Sequence, residues 1–328
     1  MTVLEAARPS MPQAKPETAG RAASSGGQTS SAGSEWVNGA VRDRVRGYSL
    51  VLTCANRQGI VAAVATALRE AGCDIFGAHQ FDDVLTSRFF MRVVFSAPSP
   101  EVIADFERRF DGISREFGMT WRLRDRSKRH RVVIMASKFD HCLADLLYRH
   151  RIGELPMEIA AIISNYPRQT YAGLDFGSAE FHHLPVTSET KAARERKLLK
   201  IVEDAEADVV VLARYMQVLS DDLATALGGR CINIHHSFLP SFKGAKPYHQ
   251  AYLRGVKAIG ATAHYVTGDL DEGPIIAQDV EAITHADTPD DLVRLGRDVE
   301  RRVLARALSY HLDDRIILDG LRTVVFSK

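Results

Sequence analysis

The sequence predicts an α/β chain in two parts: a small βαββαβ unit, then an open, mainly parallel sheet with helices on both faces. Three observations predict it. Apolar periodicities of strand and helix type follow one another from Tyr48 to the end of the chain. The first six elements run strand, helix, strand, strand, helix, strand, whereas from Val132 strand and helix simply alternate. Continuous apolar strands such as "DVVVLAR" (208–214) suit a parallel sheet buried on both sides.

Residues 1–46, with runs such as "AGRAASSGGQTSSAGSE", are rich in Ala, Ser, Gly and Pro, and predict a disordered tail. Residues 47–125 form the first unit. "YSLVLTC" reads as a strand. "QGIVAAVATALREAG" reads as a helix, with Ile60, Val61, Val64 and Leu68 on one face and Gly72 as its stop. "DIFGAHQFDD" and "SRFFMRVVFSA" predict a hairpin turning at 82–86. A second helix starts with Ser99 as cap and Pro100 at its first position, and "MTWRLRD" closes the unit. This order is that of a split-βαβ, ferredoxin-like domain.

The stretch "RLRDRSKRHR" (122–131) holds six Lys or Arg and one Asp. With no interleaved aromatics it is expected to be a strand end and a solvated linker, 126–131, rather than a nucleic-acid patch. Residues 132–328 form the second part. Strands are expected at "RVVIMAS", "MEIAAIISN", "DVVVLAR", "RCINIHH", "ATAHYV" and "IIAQDVEA". Helices are expected at "HCLADLLYRHRIG", "SETKAARERKLLKIVEDA" and "SDDLATALGG". "TPDDLVRLGRDVERRVLARALSYHL" predicts a long helix capped by Thr288, and "RIILDGLRTVVF" a hairpin turning at Asp319-Gly320.

Composition narrows the function. A net charge of +1, with 45% hydrophobic and 25% charged residues, gives no bias toward nucleic acid or membrane surfaces. No run of 18 apolar residues predicts a membrane span, and the N-terminus lacks a secretory layout. Cys54, Cys73, Cys142 and Cys231 form no CxxC or zinc spacing, which fits small buried thiols in a reducing cytoplasm.

The chemistry gathers in two segments. In "CINIHHSFLP" (231–240), Asn233 and His235 alternate to one face of a strand while Ile232 and Ile234 take the other. His236 is expected to point away from His235. The carboxyl end of a strand in such a sheet is where sites collect. An amide that can donate to an oxyanion and an imidazole that can move a proton suit acyl chemistry. The following "HSFLPSFKGAKPYHQA" (236–251) reads as a loop fit for a rim or lid. In "GATAHYVTGDLDEGPII" (260–276), a strand aims His264 to one face and an acidic loop carries Asp269, Asp271 and Glu272. Acidic residues there also serve turns, but a carboxylate brought beside His235 would stabilise an imidazolium and orient water. The pairs His235-His236 and His182-His183 are adjacent in strands and so point oppositely; no metal site is expected.

These segments, with "ARYMQVLS" (213–220), resemble the formyltransferase-fold family that uses 10-formyltetrahydrofolate. The resemblance implies Asn233, His235 and Asp271 as the catalytic set and His264 as a supporting residue beside the Asp. It implies a folate pocket at Met216, Gln217, Val218, Leu219, Val266 and Thr267. The N-terminal unit, marked by "ANRQGIVAAVA" (55–65), resembles an ACT domain. That resemblance implies an amino-acid effector near Asn56 and Gly59, with Asn56 standing where many such domains carry Asp.

Within the family the amine-formylating branch has a glycine-rich, phosphate-holding loop after its first strand. Here "ASKFDHCLADLL" (136–147) has no glycine. The chain also ends soon after its hairpin, without the domain that grips initiator tRNA. An ACT unit ahead of the formyltransferase fold is similar to the formyltetrahydrofolate deformylase family. The resemblance then implies hydrolysis of 10-formyltetrahydrofolate by water to tetrahydrofolate and formate, within one-carbon and purine metabolism, without metal or prosthetic group. It also implies glycine and methionine as effectors and a homo-oligomer. The alternatives are transfer of the formyl group to an amine, or an inactive amino-acid sensor.

Overall fold

The computed structural model describes residues 47–239 and 247–326. The expected tail, 1–46, lies outside them, as does 240–246 of the expected rim loop. The first unit runs β1 (Tyr48–Ala55), α1 (Ile60–Glu70), β2 (Asp74–Asp83), β3 (Arg88–Ser96), α2 (Pro100–Phe117) and β4 (Thr120–Asp125). Its antiparallel sheet has the order β2-β3-β1-β4, the ferredoxin-like arrangement. Gly59 opens α1 with φ 94°, and Gly118 ends α2 with φ 62°, both in the left-handed region that a side chain resists. On α1 the buried face is Ile60, Val64 and Leu68. Val61, expected on that face, is 40% exposed, since one position past Ile60 turns it about 100° around the helix.

Leu50 and Leu52 of β1 pack with Phe89, Phe106 and Phe110 in the core that includes α2. The opposite face is also covered: Val51 and Phe90 pack on Ile317 and Phe326 near the C-terminus. Double coverage explains why β1 is buried from Ser49 through Cys54 with no polar-out alternation.

The second part runs β5 (His130–Ala136), α3 (His141–Arg151), β6 (Met157–Ser164), β7 (Glu180–His183), α4 (Lys191–Asp204), β8 (Val209–Leu212), α5 (Asp221–Ala226) and β9 (Cys231–His235). Then follow α6 (Pro247–Arg254), β10 (Ala258–Tyr265), β11 (Ile275–Ala282), α7 (Pro289–Leu312), β12 (Ile316–Asp319) and β13 (Arg322–Val325). The seven-stranded sheet has the order β11-β10-β9-β8-β5-β6-β7. From β9 to β7 the pairs are parallel, and β10 and β11 are antiparallel additions. Along β5, Val132, Ile134 and Ala136 face one core, shared with α3 and α7. Val133 and Met135 face the other, with α4 and α5. Thr288 and Asp291 form a reciprocal capping box at the start of α7.

β7 includes His182-His183 in the strand setting expected for them, whereas α6 departs from expectation by lying within the segment read as loop. The basic stretch departs further. The expected linker's last residues, His130 and Arg131, begin β5. Arg122, Lys128 and Arg129 are exposed as expected, but Arg124 and Arg126 are not a solvated strand end. Arg124 Nε donates to Asp314 at 2.6 Å, Arg126 to Asp313 at 2.6 Å, and Arg122 to the Ile316 carbonyl at 3.3 Å. Arg92 of β3, only 4% exposed, donates twice to the Asp313 carbonyl. The basic residues bind the turn after α7, so all the described residues cluster in one compact unit.

Candidate active site

Chain order places β6 on one side of β5 and β8 on the other, so the winding reverses between β5 and β8. A cleft of about 210 Å³ opens at the carboxyl ends of β8 and β9. Asn233 and His235 enter it from β9, while Ile232 and Ile234, which alternate with them, are buried in the core. Antiparallel pairing sets His264 of β10 opposite Asn233. Asn233 Nδ2 lies 3.2 Å from His264 Nε2. His264 Nδ1 is 2.9 Å from the Tyr265 carbonyl, which can only accept. Nδ1 therefore carries a proton, and in the neutral ring Nε2 accepts from the Asn233 amide, leaving that amide's second N–H for a ligand.

Asp271 arrives on a tight loop. The Tyr265 N–H donates to the Pro274 carbonyl at 2.9 Å, folding the chain back on β10. Gly273 makes the fold possible: a Cβ there would stand 1.8 Å from the Tyr265 oxygen. Asp271 itself takes φ 59°, a left-handed conformation costing a non-glycine residue roughly 1–3 kcal/mol. Its Oδ1 ends 3.2 Å from His235 Nδ1 and 3.7 Å from His264 Nε2. Burial pushes the Asp271 carboxyl up, but its interactions with His235 first, and with His264 wherever that ring carries a second proton, outweigh it and hold the group well below the usual carboxylate range. His235 is gripped at both nitrogens, since Ser237 Oγ lies 2.8 Å from Nε2. A proton on Nδ1, facing Asp271, leaves the Nε2 lone pair to accept from Ser237.

His236 differs from expectation. β9 ends at His235, so strand alternation no longer applies, and the two imidazoles stack with centroids 4.7 Å apart. Both line the cleft. Burial, then the Arg214 cation and the neighbouring His235, push His236 down to about 4, so it is neutral at pH 7.

All six residues expected at the folate pocket, Met216 to Leu219 with Val266 and Thr267, line the same cleft. Met216 and Val218 are more than half exposed at its mouth. The Met216 N–H donates to Ser137 Oγ at the end of β5, which ties the segment to the sheet. Asn56 and Gly59 lie elsewhere, exposed on the first unit, with the Asn56 N–H bonded to the Ser87 carbonyl.

Sequence reasoning placed Arg214 only within the family segment 213–220 and assigned no role to Glu300, His141 or Tyr248; the four form a cluster at the cleft wall. Glu300 of α7, 1% exposed, meets His141 Nε2 at 2.7 Å, Tyr248 Oη at 2.7 Å and Arg214 Nε at 3.2 Å. Burial pushes Glu300 up, but these donors outweigh it and keep it ionised. An acid in the middle of a helix was the one available signal. His141, Cys142 and Glu300 place ligand atoms within 4.8 Å of one another. A cation there would have to displace two hydrogen-bond donors and the Arg214 charge from one carboxylate, and burial raises the Cys142 thiol well above its usual value. The cluster therefore reads as a hydrogen-bonded anchor.

An amide and two imidazoles on neighbouring strands, with a loop carboxylate between them and an apolar-mouthed cleft beside, make a site suited to acyl chemistry. A family model described as formyl transferase matches residues 130–308. A formyltetrahydrofolate deformylase of Corynebacterium sp. (strain P-1) is 48% identical over 279 residues, covering 85% of this chain and 97% of that protein. The solved formyltetrahydrofolate deformylase of Pseudomonas syringae superposes with a TM-score of 0.84 at 44% identity, covering 90% of this chain and 99% of that one. Its counterpart from Burkholderia mallei gives 0.79 at 48% identity, covering 86% and 100%. The chain belongs to the formyltetrahydrofolate deformylase family.

Proposed function

We propose that this protein hydrolyses 10-formyltetrahydrofolate to tetrahydrofolate and formate, and that Asn233, His235 and Asp271 carry the reaction. The observation that carries the site reading is the 3.2 Å contact between Asp271 and His235 Nδ1, with Asn233 on the same strand face. The relatives' name and the chain-length match carry the substrate. A carboxylate held as firmly ionised as Asp271 is a weak base. Its part is to orient water and to stabilise His235 as an imidazolium; His264 holds the Asn233 amide in place. Water takes the place of Ser237 Oγ at His235 Nε2, attacks the formyl carbon and gives its proton to that nitrogen. The carbonyl electrons move to oxygen, which accepts the free N–H of Asn233. The intermediate collapses, the C–N10 bond breaks, and His235 hands its proton to N10. The second proton of the former water leaves to solvent, so formate departs as an anion.

The pocket segment Met216 to Leu219, with Val266 and Thr267, receives the folate. The first unit is read as an ACT domain responding to glycine or methionine near Asn56 and Gly59, and pairing edge to edge in a homo-oligomer; the edge position of β2 supports that pairing. A flat hydrolysis rate on titration with both amino acids would remove the regulatory part. Among the described residues no helix is long and apolar enough to cross a membrane. We place the reaction in the cytoplasm, where it would release formate and free folate for one-carbon and purine metabolism.

Formate release from 10-formyltetrahydrofolate with no amine present tests the function directly. A requirement for an added amine would favour a transferase instead. In folded Asn233→Ala, His235→Ala and Asp271→Ala proteins, kcat should fall by about a hundredfold or more. Near wild-type turnover in all three would end the assignment.

A further inference from the structure

Arg214 does more than its pairing with Glu300 requires. It lines the cleft with Asn233, His235 and Asp271, yet its side chain is only 11% exposed. Its backbone takes φ 62°, left-handed and unfavourable for a residue with a side chain. Nε lies 3.2 Å from Glu300 but is not aligned for a hydrogen bond. Among the described residues Glu300 is its ion partner, and no hydrogen bond occupies the two Nη nitrogens. Both Glu300 oxygens are meanwhile taken, one by Tyr248 and one by His141. Glu300 thus supplies charge and position from behind and leaves the planar fork of the guanidinium unused. Of the guanidinium nitrogens only Nε is buried without a hydrogen-bond partner, so the Nη fork is open to the cleft, and its shape matches a carboxylate.

We propose that Arg214 is the formate seat of the cleft, holding the product carboxylate through its Nη nitrogens while Glu300 fixes the guanidinium from behind. The proposal rests on the hydrolytic reading. Hydrolysis converts a neutral formamide into an anion, so a cation at the reacting end gains contact energy as the reaction proceeds and little from the substrate. The folate also carries carboxylates, on its glutamate tail. Arg214 is nearly enclosed, whereas Met216 and Val218 mark an open mouth, so the small anion made inside is the better occupant. The proximity of Arg214 to the catalytic pair is felt at His236, where it depresses the imidazole.

The test is product inhibition by sodium formate on the full-length protein, with wild type, Arg214→Gln and Arg214→Lys. Each is assayed with 10-formyltetrahydrofolate and with its pteroate analogue lacking the glutamate. Wild type should be inhibited by millimolar formate, and Arg214→Gln should weaken that inhibition by about tenfold or more, the worth of a charged hydrogen-bonded pair. KM should be little changed for either substrate, while kcat falls. Arg214→Lys keeps the charge but loses the fork; it should weaken inhibition several-fold and carries the test if the Gln variant does not fold. Unchanged formate inhibition in the folded variants overturns the proposal. So does a KM rise seen only with the glutamate-bearing substrate, which would assign Arg214 to the tail. A wild type that hydrolyses but ignores formate also overturns it, whereas a wild type that releases no formate fails the hydrolytic reading itself.

Discussion

At the scale of single residues, the site depends on two that are chemically inert. Gly273 has no side chain to offer, yet its missing Cβ lets the chain pass against the Tyr265 carbonyl and deliver Asp271. Ile234 fixes which way its neighbours face by filling the core behind them. Gly273→Ala should therefore displace the Asp271 loop rather than merely strain it, because the clash is with backbone. The expected result is a kcat loss approaching that of Asp271→Ala, with a lowered Tm; a Gly273→Ala protein with wild-type kcat would show that the loop can move without cost. Asn233 and His235 were legible because strand alternation is local. Asp271 among three clustered acids was legible only through family resemblance, since its place depends on a β10 fold-back that no short-range pattern encodes. Arg214 and Glu300, 86 positions apart in chain numbering, meet only through packing and left no local pattern beyond a buried charge in a helix.

At the scale of elements, the long, periodic helices and apolar strands declared themselves, while α6 did not. α6 follows a Pro/Gly-rich run and is eight residues long, so it offers too little periodicity to outweigh turn chemistry. The basic segment of β4 was misread for a related reason: its partners, Asp313 and Asp314, lie about 190 positions downstream. Those aspartates form the turn after α7 and bind Arg92, Arg124, Arg126 and Ser49. Burial pushes Asp313 up, but Arg315, Arg92 and Arg126 outweigh it and hold the carboxyl low. Removing one carboxylate from such a group leaves cations enclosed without their partner. Asp314→Ala, with its acceptor 4% exposed, should cost about 3–5 kcal/mol. Denaturant unfolding followed by fluorescence and by circular dichroism should show the midpoint falling and the two probes separating, because the ferredoxin-like sheet loses its hold on α7. Coincident transitions at the wild-type midpoint would show that the apolar contact of Val51 and Phe90 with Ile317 and Phe326 suffices.

At the scale of the whole molecule, the same junction makes stability depend on pH. His311 near the end of α7 sits against Tyr265, whose Oη lies 2.7 Å from its Nδ1, and its ring centroid is 5.8 Å from that of His130. Burial, then His130 and Arg122, push His311 down to about 3. Burial and Arg124 lower His130 as well, and His236 falls to about 4 in the cleft. In each case the folded protein resists a proton that the unfolded chain takes up near pH 6.5. Their contribution is therefore fully present above about pH 6.5 and is lost as pH falls toward the folded values, because the unfolded state binds more protons across that window. For His311 the loss between pH 6.5 and 5 amounts to at most about 2 kcal/mol, since each pH unit carries about 1.4 kcal/mol. His311→Gln keeps a hydrogen-bonding group for Tyr265 but cannot take up a proton. Its Tm should fall less steeply than that of wild type between pH 7 and 5, even if its Tm at pH 7 is lower. Parallel slopes for the two proteins would show that His311 is not where the fold feels acid, and would shift the dependence to His130 and to the cleft, where His236→Gln is the corresponding measurement.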